Sequence, residues 1–257
     1  LVIAGELAEA LPRLTAMLEH RARPEPAWCA RFERADAAVW QLVGAELDAA
    51  GPQSEGQAVR AVIDALPARA LLVLGNSLPV RTVDTYAPAH AADVQVLSQR
   101  GASGIDGLVS GAAGAAHAAS EPVVALIGDV SFAHDLGGLA AARLARVPLV
   151  IVVIDNGGGR IFERLPVAGI GGLAARFDEL WLTPPSCDLL AAAGAFGVRV
   201  ATAGSPDEVR RAVGEAAARS GCTVIRAVVE PTSAEASRAR LVAALERDLP
   251  AAMGASV

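Results

Sequence analysis

Two short runs in the 257-residue chain carry residue types that can hold a cation and a diphosphate. The aliphatic run Val123–Ile127 ends in Gly128-Asp129, and the run Leu149–Ile154 ends in Asp155-Asn156-Gly157-Gly158-Gly159. Asp129 and Asn156 are 27 residues apart, about the length of one turn, one covering helix and one returning strand. If the strands are neighbours, both side chains reach the same sheet edge. A carboxylate, an amide oxygen and the carbonyls of a glycine-rich turn are hard oxygen donors, the set expected for Mg²⁺ completed by phosphate oxygens and water. Gly128 and Gly157–Gly159 carry no Cβ, so their backbone can approach a diphosphate with its N–H groups facing it. For either run alone there is a plainer reading, in which Asp129 caps the next helix and the glycines form an ordinary turn. The pairing at this spacing favours the joint one.

The only two asparagines, Asn76 and Asn156, each follow a strand-like run. Asn76 opens the string Gly75–Arg81, and after the next aliphatic run comes Gln99–Gly107. Each string is expected to place one arginine, Arg81 or Arg100, on a strand-end loop. The planar guanidinium fork binds a carboxylate through two hydrogen bonds, so two such arginines at one rim would suit a dicarboxylate. The alternative is an exposed arginine or a loop-pinning salt bridge. His134 is expected to be a helix-start residue rather than a proton shuttle. Ser77 and Ser103 lack the Gly-x-Ser-x-Gly nucleophile turn. Phe177 and Trp181, in Gly169–Pro185, are read as a satellite cluster beneath a long loop rather than a mobile flap.

The elements that must position these residues follow from hydrophobic spacing. Short runs at Ala70–Leu74, Val94–Leu97, Val123–Ile127, Leu149–Ile154, Val198–Ala201 and Thr223–Val229 read as strands. Helical text lies at Ser54–Leu66, Gly104–Ala118, Asp135–Ala145, Cys187–Phe196, Ser205–Ala218 and Ala234–Leu249, with a capping-box pattern at Ser205 and Glu208. Alternating strands and helices predict an α/β fold, a mostly parallel sheet with helices on both faces. In such a sheet ligands bind beyond the carboxyl ends of the strands, where all the residues above fall. Leu1–Leu47 reads as helical without a sheet, the tail of a domain whose main body is absent. The expected division is therefore 1–50 as that remnant and 51–257 as the ligand-binding domain.

Composition narrows the chemistry. A net charge of −6 lacks the basic footprint that nucleic acid requires. There is no lysine, which removes Schiff-base chemistry and the P-loop. Cys29, Cys187 and Cys222 have neither disulfide-framework nor zinc spacing, which fits a reducing cytoplasm. No apolar stretch is long enough for a membrane span. The chain opens at Leu1 without a signal-peptide pattern and is expected to be truncated or processed.

Gly128-Asp129 followed by Asn156 and trailing glycines resembles the thiamine-diphosphate signature. Three strings, Gly75–Arg81 (GNSLPVR), Arg100–Gly107 (RGASGIDG) and Gly128–Leu139 (GDVSFAHDLGGL), followed by Gly157–Phe162 (GGGRIF), narrow it further. They are similar to the 2-succinyl-5-enolpyruvyl-6-hydroxy-3-cyclohexene-1-carboxylate synthases of menaquinone biosynthesis, over about Ser54–Val229. The resemblance implies decarboxylation of 2-oxoglutarate and conjugate addition of the remaining four-carbon unit to isochorismate. It implies thiamine diphosphate with Mg²⁺ or Mn²⁺, the metal held by Asp129, Asn156 and the Gly158 carbonyl. The cofactor would lie against Ser103, Gly104, Ile105, Gly128, Val130, Ser131, Gly159 and Ile161, with Ile105 as the bulky prop beneath its bent form. Substrate would meet Asn76, Ser77, Arg81, Arg100, Ile161, Phe162 and Leu165, the two arginines taking its carboxylates.

Two positions depart from the family pattern. Asp155 stands where a second Asn is frequent, adding a negative charge that the metal is expected to neutralise, and Gln99 replaces a frequent Asn. The family's N-terminal pyrimidine-binding domain, which supplies a Glu to the cofactor, has no counterpart in this chain. The resemblance also implies a site shared between subunits of a homodimer or homotetramer, so the isolated chain is expected to be inactive until the missing portion comes from elsewhere. Two other readings stay open: another thiamine-diphosphate decarboxylase or acetolactate-type synthase, and a noncatalytic diphosphate-binding module.

Overall fold

The six aliphatic runs become six parallel strands, and in the central runs Val123–Ile127 and Leu149–Ile154 the β-branched and leucine side chains are buried on both faces beneath helices. The computed structural model describes residues 6–19, 21, 26–89, 93–99 and 101–253. The strands are β1 (Leu71–Leu74), β2 (Gln95–Ser98), β3 (Val123–Gly128), β4 (Pro148–Asp155), β5 (Arg199–Ala203) and β6 (Gly221–Val228). Their spatial order is β2-β1-β3-β4-β6-β5, and every pairing is parallel. The predicted α/β class and parallel sheet are thus observed. The chain runs outward from β1 to β2, then returns to the other side of β1 for β3. That reversal opens a crevice beyond the carboxyl ends of β1 and β3.

The helices are α1 (Leu7–Leu18), α2 (Pro26–Ala49), α3 (Glu55–Asp64), α4 (Leu78–Tyr86), α5 (Leu108–Ala118), α6 (Asp129–His134), α7 (Leu139–Ala142), α8 (Gly171–Ala174), α9 (Leu189–Ala195), α10 (Pro206–Ala217) and α11 (Ser233–Ala252). Strand alternation sorts the core into two layers. Val150, Val152 and Ile154 of β4 join Val59 and Val62 of α3 and Val209 and Val213 of α10. Leu149, Ile151 and Val153 join Leu108 of α5, Phe132 of α6, Leu139 of α7 and Leu189 of α9. Each such side chain, fully buried, contributes roughly 1.5–3 kcal/mol relative to exposure.

Three helical segments differ from the sequence expectation. Leu78–Tyr86 is a helix, so Leu78–Arg81, expected on a strand-end loop, are helical: Ser77 stands at its N-cap, Pro79 sits in its first turn, and Leu78, Thr82 and Tyr86 form a buried face at helical spacing. The helix expected from Gly104 starts at Leu108, after Gly107 in the left-handed region (φ 69°). The helix expected over 135–145 is instead a 3₁₀ turn at Leu136–Gly138 and the short α7, and α6 precedes it at Asp129–His134. There Gly138 passes so close to α5 that a Cβ would lie 2.7 Å from the Ser110 nitrogen. Asp135 reinforces that approach, its Oδ2 accepting the Ser110 N–H at 2.6 Å. At α10 the Ser205 hydroxyl accepts the Glu208 N–H, while Glu208 returns its bond to the Gly204 N–H rather than to Ser205.

The chain forms two compact units, Leu42–Ala243 and Leu1–Gln41 with Ala244–Val257. The first contains the whole sheet. In the second, α1 leaves Leu7, Leu11, Leu14 and Leu18 exposed, and Trp28 and Phe32 pack with ring centroids 4.5 Å apart. Among the described residues no helix is long and apolar enough to cross a membrane. All three cysteines are free thiols.

Candidate functional site

β3 and β4 are adjacent, with Gly128 in register with Ile154, so Asp129 and Asn156 emerge together at the carboxyl edge. A cavity of about 310 Å³ opens there. It is lined by residues that follow four strands: Ser77, Leu78 and Pro79 after β1; Ser103, Gly104 and Ile105 after β2; Gly128–Ser131 after β3; and Asn156 with Gly158–Phe162 after β4. Thr183 closes the lining. A larger hollow of about 360 Å³, touching Leu71 and Gln95, lies at the amino ends of β1 and β2 and has none of these groups. Of the three described non-glycine residues with positive φ, two, Ser77 (72°) and Thr183 (41°), line the cavity. Held strain of this kind gathers where a rigid surround fixes a functional surface.

Asp129 is 2% exposed and starts α6. Its Oδ1 accepts the Val130 N–H at 2.7 Å and its Oδ2 accepts the Gly158 N–H at 2.8 Å. Asp129 is the first residue of α6, whose N-cap is Gly128 without a side-chain cap bond, so it does not cap the helix as the plainer reading expects; its two oxygens instead join the loops after β3 and β4. Burial pushes its carboxyl up to about 6; the two N–H donors oppose that rise, and the Asp155 charge adds to it. Gly158 makes the link possible: its φ is +124° and a Cβ would lie 2.5 Å from the Leu182 carbonyl oxygen. The Gly159 N–H donates to that same carbonyl at 2.6 Å, which fastens the glycine arch to the 178–182 turn.

Asn156 is 5% exposed, and its Nδ2 donates to Glu55 Oε2 at 2.9 Å. Its Oδ1 is buried without a hydrogen-bond partner. Buried polar atoms are nearly always paired, so an orphaned amide oxygen beside a buried carboxylate calls for a donor or a cation. The Gly158 carbonyl already accepts the Arg160 N–H at 2.8 Å and keeps a second lone pair. A Cβ at Gly128 would meet no protein atom within 4 Å, so its backbone faces open space. The described residues hold no cluster of three His, Cys, Asp or Glu side chains. The site therefore fits a hard cation that brings some of its own oxygen ligands, as a metal–diphosphate does.

All eleven residues expected at the cofactor, namely Ser103, Gly104, Ile105, Gly128, Asp129, Val130, Ser131, Asn156, Gly158, Gly159 and Ile161, line this one cavity. Of the expected substrate contacts, Ser77, Ile161 and Phe162 line it as well. Asn76 does not; it is 4% exposed and its Nδ2 donates to the Gly104 carbonyl at 2.6 Å, tying the loop after β1 to the loop after β2. Arg81 lies on α4 rather than on a loop. Its Nη1 donates to the Ser77 carbonyl at 2.7 Å, and it borders a small neighbouring hollow with Arg164 and Arg238. Leu165 is exposed beyond the 3₁₀ turn Arg160–Arg164 and outside the cavity lining. Arg100 lies outside the described residues.

Asp155 finds its counter-charge within the sheet: Arg226 of β6 reaches it at 2.5 Å, so no metal is needed to neutralise it. Gln99 Nε2 donates to the Gly107 carbonyl at 3.1 Å. His134 is exposed at the end of α6. Phe177 and Trp181 form a cluster with Phe162, ring centroids 6.4 and 5.6 Å apart, as the satellite reading expects. The segment beyond them nevertheless reaches the cavity through Thr183.

Leu78, Pro79, Arg160 and Thr183 were not singled out by the sequence, and neither was Glu55. For Leu78 and Pro79 the missed signal is a Pro in the first turn, two residues after Ser77. Nothing in the local sequence marks Glu55, a first-turn glutamate like many others.

Residues 84–227 match the family described as thiamine pyrophosphate enzyme, C-terminal TPP binding domain. The chain is 44% identical over 99% of its length to a 2-succinyl-5-enolpyruvyl-6-hydroxy-3-cyclohexene-1-carboxylate synthase of Sorangium cellulosum, covering 42% of that protein. It is 39% identical over 83% of its length to the synthase of the same name from Myxococcus xanthus, covering 36% of it. The chain thus spans less than half the length of these curated relatives. In fold it is similar to a putative thiamin diphosphate-dependent enzyme from Mycobacterium smegmatis (TM-score 0.53, 24% identity, 70% of this chain and 32% of that one). It is also similar to benzoylformate decarboxylase from Polynucleobacter necessarius (TM-score 0.55, 21% identity, 69% and 33%).

Proposed function

We propose, from the premise that this chain belongs to the thiamine pyrophosphate enzymes and carries their C-terminal TPP-binding domain, that it is the metal- and diphosphate-binding portion of a 2-succinyl-5-enolpyruvyl-6-hydroxy-3-cyclohexene-1-carboxylate synthase. The reaction would be decarboxylation of 2-oxoglutarate and conjugate addition of the remaining four carbons to isochorismate, in menaquinone biosynthesis in the cytoplasm. The observation that carries the reading is the buried, unpaired Asn156 Oδ1 on a residue that lines one cavity with Asp129 and Gly158. Similarity to the named synthases across nearly the whole chain supports the choice of reaction.

In this reading Asp129, Asn156 and the Gly158 carbonyl hold Mg²⁺ or Mn²⁺. The diphosphate lies against Gly128, Val130 and Ser131, with Ser103, Gly104, Gly159 and Ile161 around the rest of the cofactor. Thiamine diphosphate, when bound, supplies the electron sink for decarboxylation. Ile105, on the cavity wall, would pack against the cofactor and hold it in place, and such positioning would lessen the need for a strong external base. Ile161 and Phe162 form the apolar side of the substrate space with the Ser77 hydroxyl beside them, and Leu165, exposed outside the cavity lining, would meet substrate only at its rim. Arg81 and Arg100 take substrate carboxylates through paired N–H donors. Asn76 acts on the site through the Gly104 carbonyl that it holds.

Residues 1–50 would be the end of a middle domain. The pyrimidine-binding portion would come from the rest of a longer polypeptide or from another subunit, in a homodimer or homotetramer, and the isolated chain would not turn over 2-oxoglutarate. Calorimetry tests the cofactor assignment: binding of thiamine diphosphate should require Mg²⁺, and ATP and NAD should not substitute. Equal binding of ATP would favour a general diphosphate module. Assay of the complete gene product should show consumption of 2-oxoglutarate in preference to pyruvate; the reverse preference would favour an acetolactate-type synthase.

A further inference from the structure

We propose that Glu55 is a positioning residue that sets the Asn156 amide with its oxygen toward the cation. The inference rests on the metal–diphosphate reading above and assigns a role to a residue outside it. Glu55 is 1% exposed, in the first turn of α3 behind the Ser54 cap. Its backbone N–H donates to the Ser233 hydroxyl at 3.0 Å. Its carboxylate points inward, where Oε1 accepts from the Thr82 hydroxyl at 3.0 Å and Oε2 accepts from Asn156 Nδ2 at 2.9 Å. Among the described residues no arginine lies within ion-pairing distance of it. Burial pushes the Glu55 carboxyl up from the ordinary glutamate range, and the Asn156 and Thr82 donors, with the Arg164 charge, oppose that rise. A buried carboxylate without an ion-pair partner is costly, so this one depends on the helix N-terminus and on these two donors.

The chemistry of the contact fixes the amide. The two ends of an asparagine side chain have nearly the same shape and differ only in donor and acceptor character. A carboxylate only accepts, so the NH₂ end must face Glu55. The oxygen is then turned to the opposite side, where it is buried and unpaired. Glu55 and the orphaned oxygen are thus two ends of one arrangement: the glutamate leaves Asn156, a cavity-lining residue, with an unengaged acceptor before any ligand arrives. Metal sites depend on such outer partners to hold their ligating groups in place. Thr82 extends the arrangement to α4, the helix whose first residues, Leu78 and Pro79, line the same cavity.

The test uses the complete gene product that carries this chain, with Mn²⁺ as the probe in the presence of thiamine diphosphate. Affinity is read by calorimetry and by the Mn²⁺ resonance spectrum. E55Q should fold and should bind Mn²⁺ about 10–100-fold more weakly, because a glutamine can meet either end of the amide. N156D sets two carboxylates against each other. In the double variant E55Q/N156D the glutamine NH₂ donates to the new carboxylate, whose other oxygen faces the cavity, so affinity should recover at least about ten-fold over E55Q. A residue that only supports the fold would lower the melting temperature without that reciprocal recovery. Unchanged affinity in E55Q, or a double variant no better than either single one, overturns the inference alone. If E55Q does not fold, comparison of the double variant with N156D still decides. Failure of the unsubstituted protein to bind Mn²⁺ with thiamine diphosphate overturns the cofactor reading and this inference with it.

Discussion

Gly158, 29 residues beyond Asp129, donates its N–H to the Asp129 Oδ2 at 2.8 Å, which ties the carboxylate after β3 to the glycine arch after β4. That single bond joins the two halves of the motif across neighbouring strands. The consequences of disturbing it, and the elements around it, can be measured.

Gly158→Ala should break the arch. The position needs φ +124° and leaves a Cβ only 2.5 Å from the Leu182 carbonyl oxygen. The expected cost is about 1–3 kcal/mol for the backbone conformation alone, with the steric clash added to it. Urea unfolding should register that loss, and cation-dependent thiamine diphosphate binding should fall with it. A variant of unchanged stability would show that the arch tolerates a side chain.

Asp129→Asn should weaken cation-dependent cofactor binding by at least about ten-fold, or 1.4 kcal/mol. The amide lacks the charge and can accept only one of the two N–H groups that Asp129 now satisfies. The check is titration of Mg²⁺ at fixed thiamine diphosphate. Full affinity in the variant would remove Asp129 from the ligand set.

Arg81→Ala separates substrate from cofactor. Arg81 is exposed on α4 and borders the hollow next to the cavity rather than the cavity itself. In the complete gene product, KM for 2-oxoglutarate should rise at least about ten-fold, the loss of one charge-assisted contact. Thiamine diphosphate affinity should stay within about two-fold, inside the scatter expected of a residue that touches no cofactor group. An equal loss in both would place Arg81 in the cofactor's support.

The three thiols should divide by burial. Cys29 and Cys187 are exposed, whereas burial pushes the Cys222 thiol up to about 12. At pH 8 roughly one Cys222 in ten thousand is then a thiolate, and the thiolate is the reactive form. A disulfide reagent should label two thiols promptly in the native protein and the third only on unfolding. The slow rate should climb about ten-fold per pH unit as pH rises toward 12, for as long as the fold holds. Three fast thiols would mean that β6 is not packed as described.

Much of this molecule could be read without coordinates. Aliphatic runs at regular intervals specify parallel strands. β3 and β4, buried along nearly their whole length, use such residues at successive positions because helices cover both their faces, whereas β2 at the sheet edge stays exposed. The spacing from Asp129 to Asn156 carries the adjacency of β3 and β4 for the same reason, because a crossover of that length closes onto a neighbour. The identity of the cofactor-lining residues was legible because their job is local: glycines that let backbone approach, and oxygen donors at strand ends. Folding alone decided whatever depends on a partner far along the chain. Arg81 reads as a loop residue until Leu78, Thr82 and Tyr86 are seen to bury one face of α4. Asp155 reads as excess charge until Arg226, on the adjacent β6, pairs with it. Glu55 carries no sequence mark at all. Its contact with Asn156 spans 101 residues, and which end of an amide faces a carboxylate is settled only when both are taken out of water together.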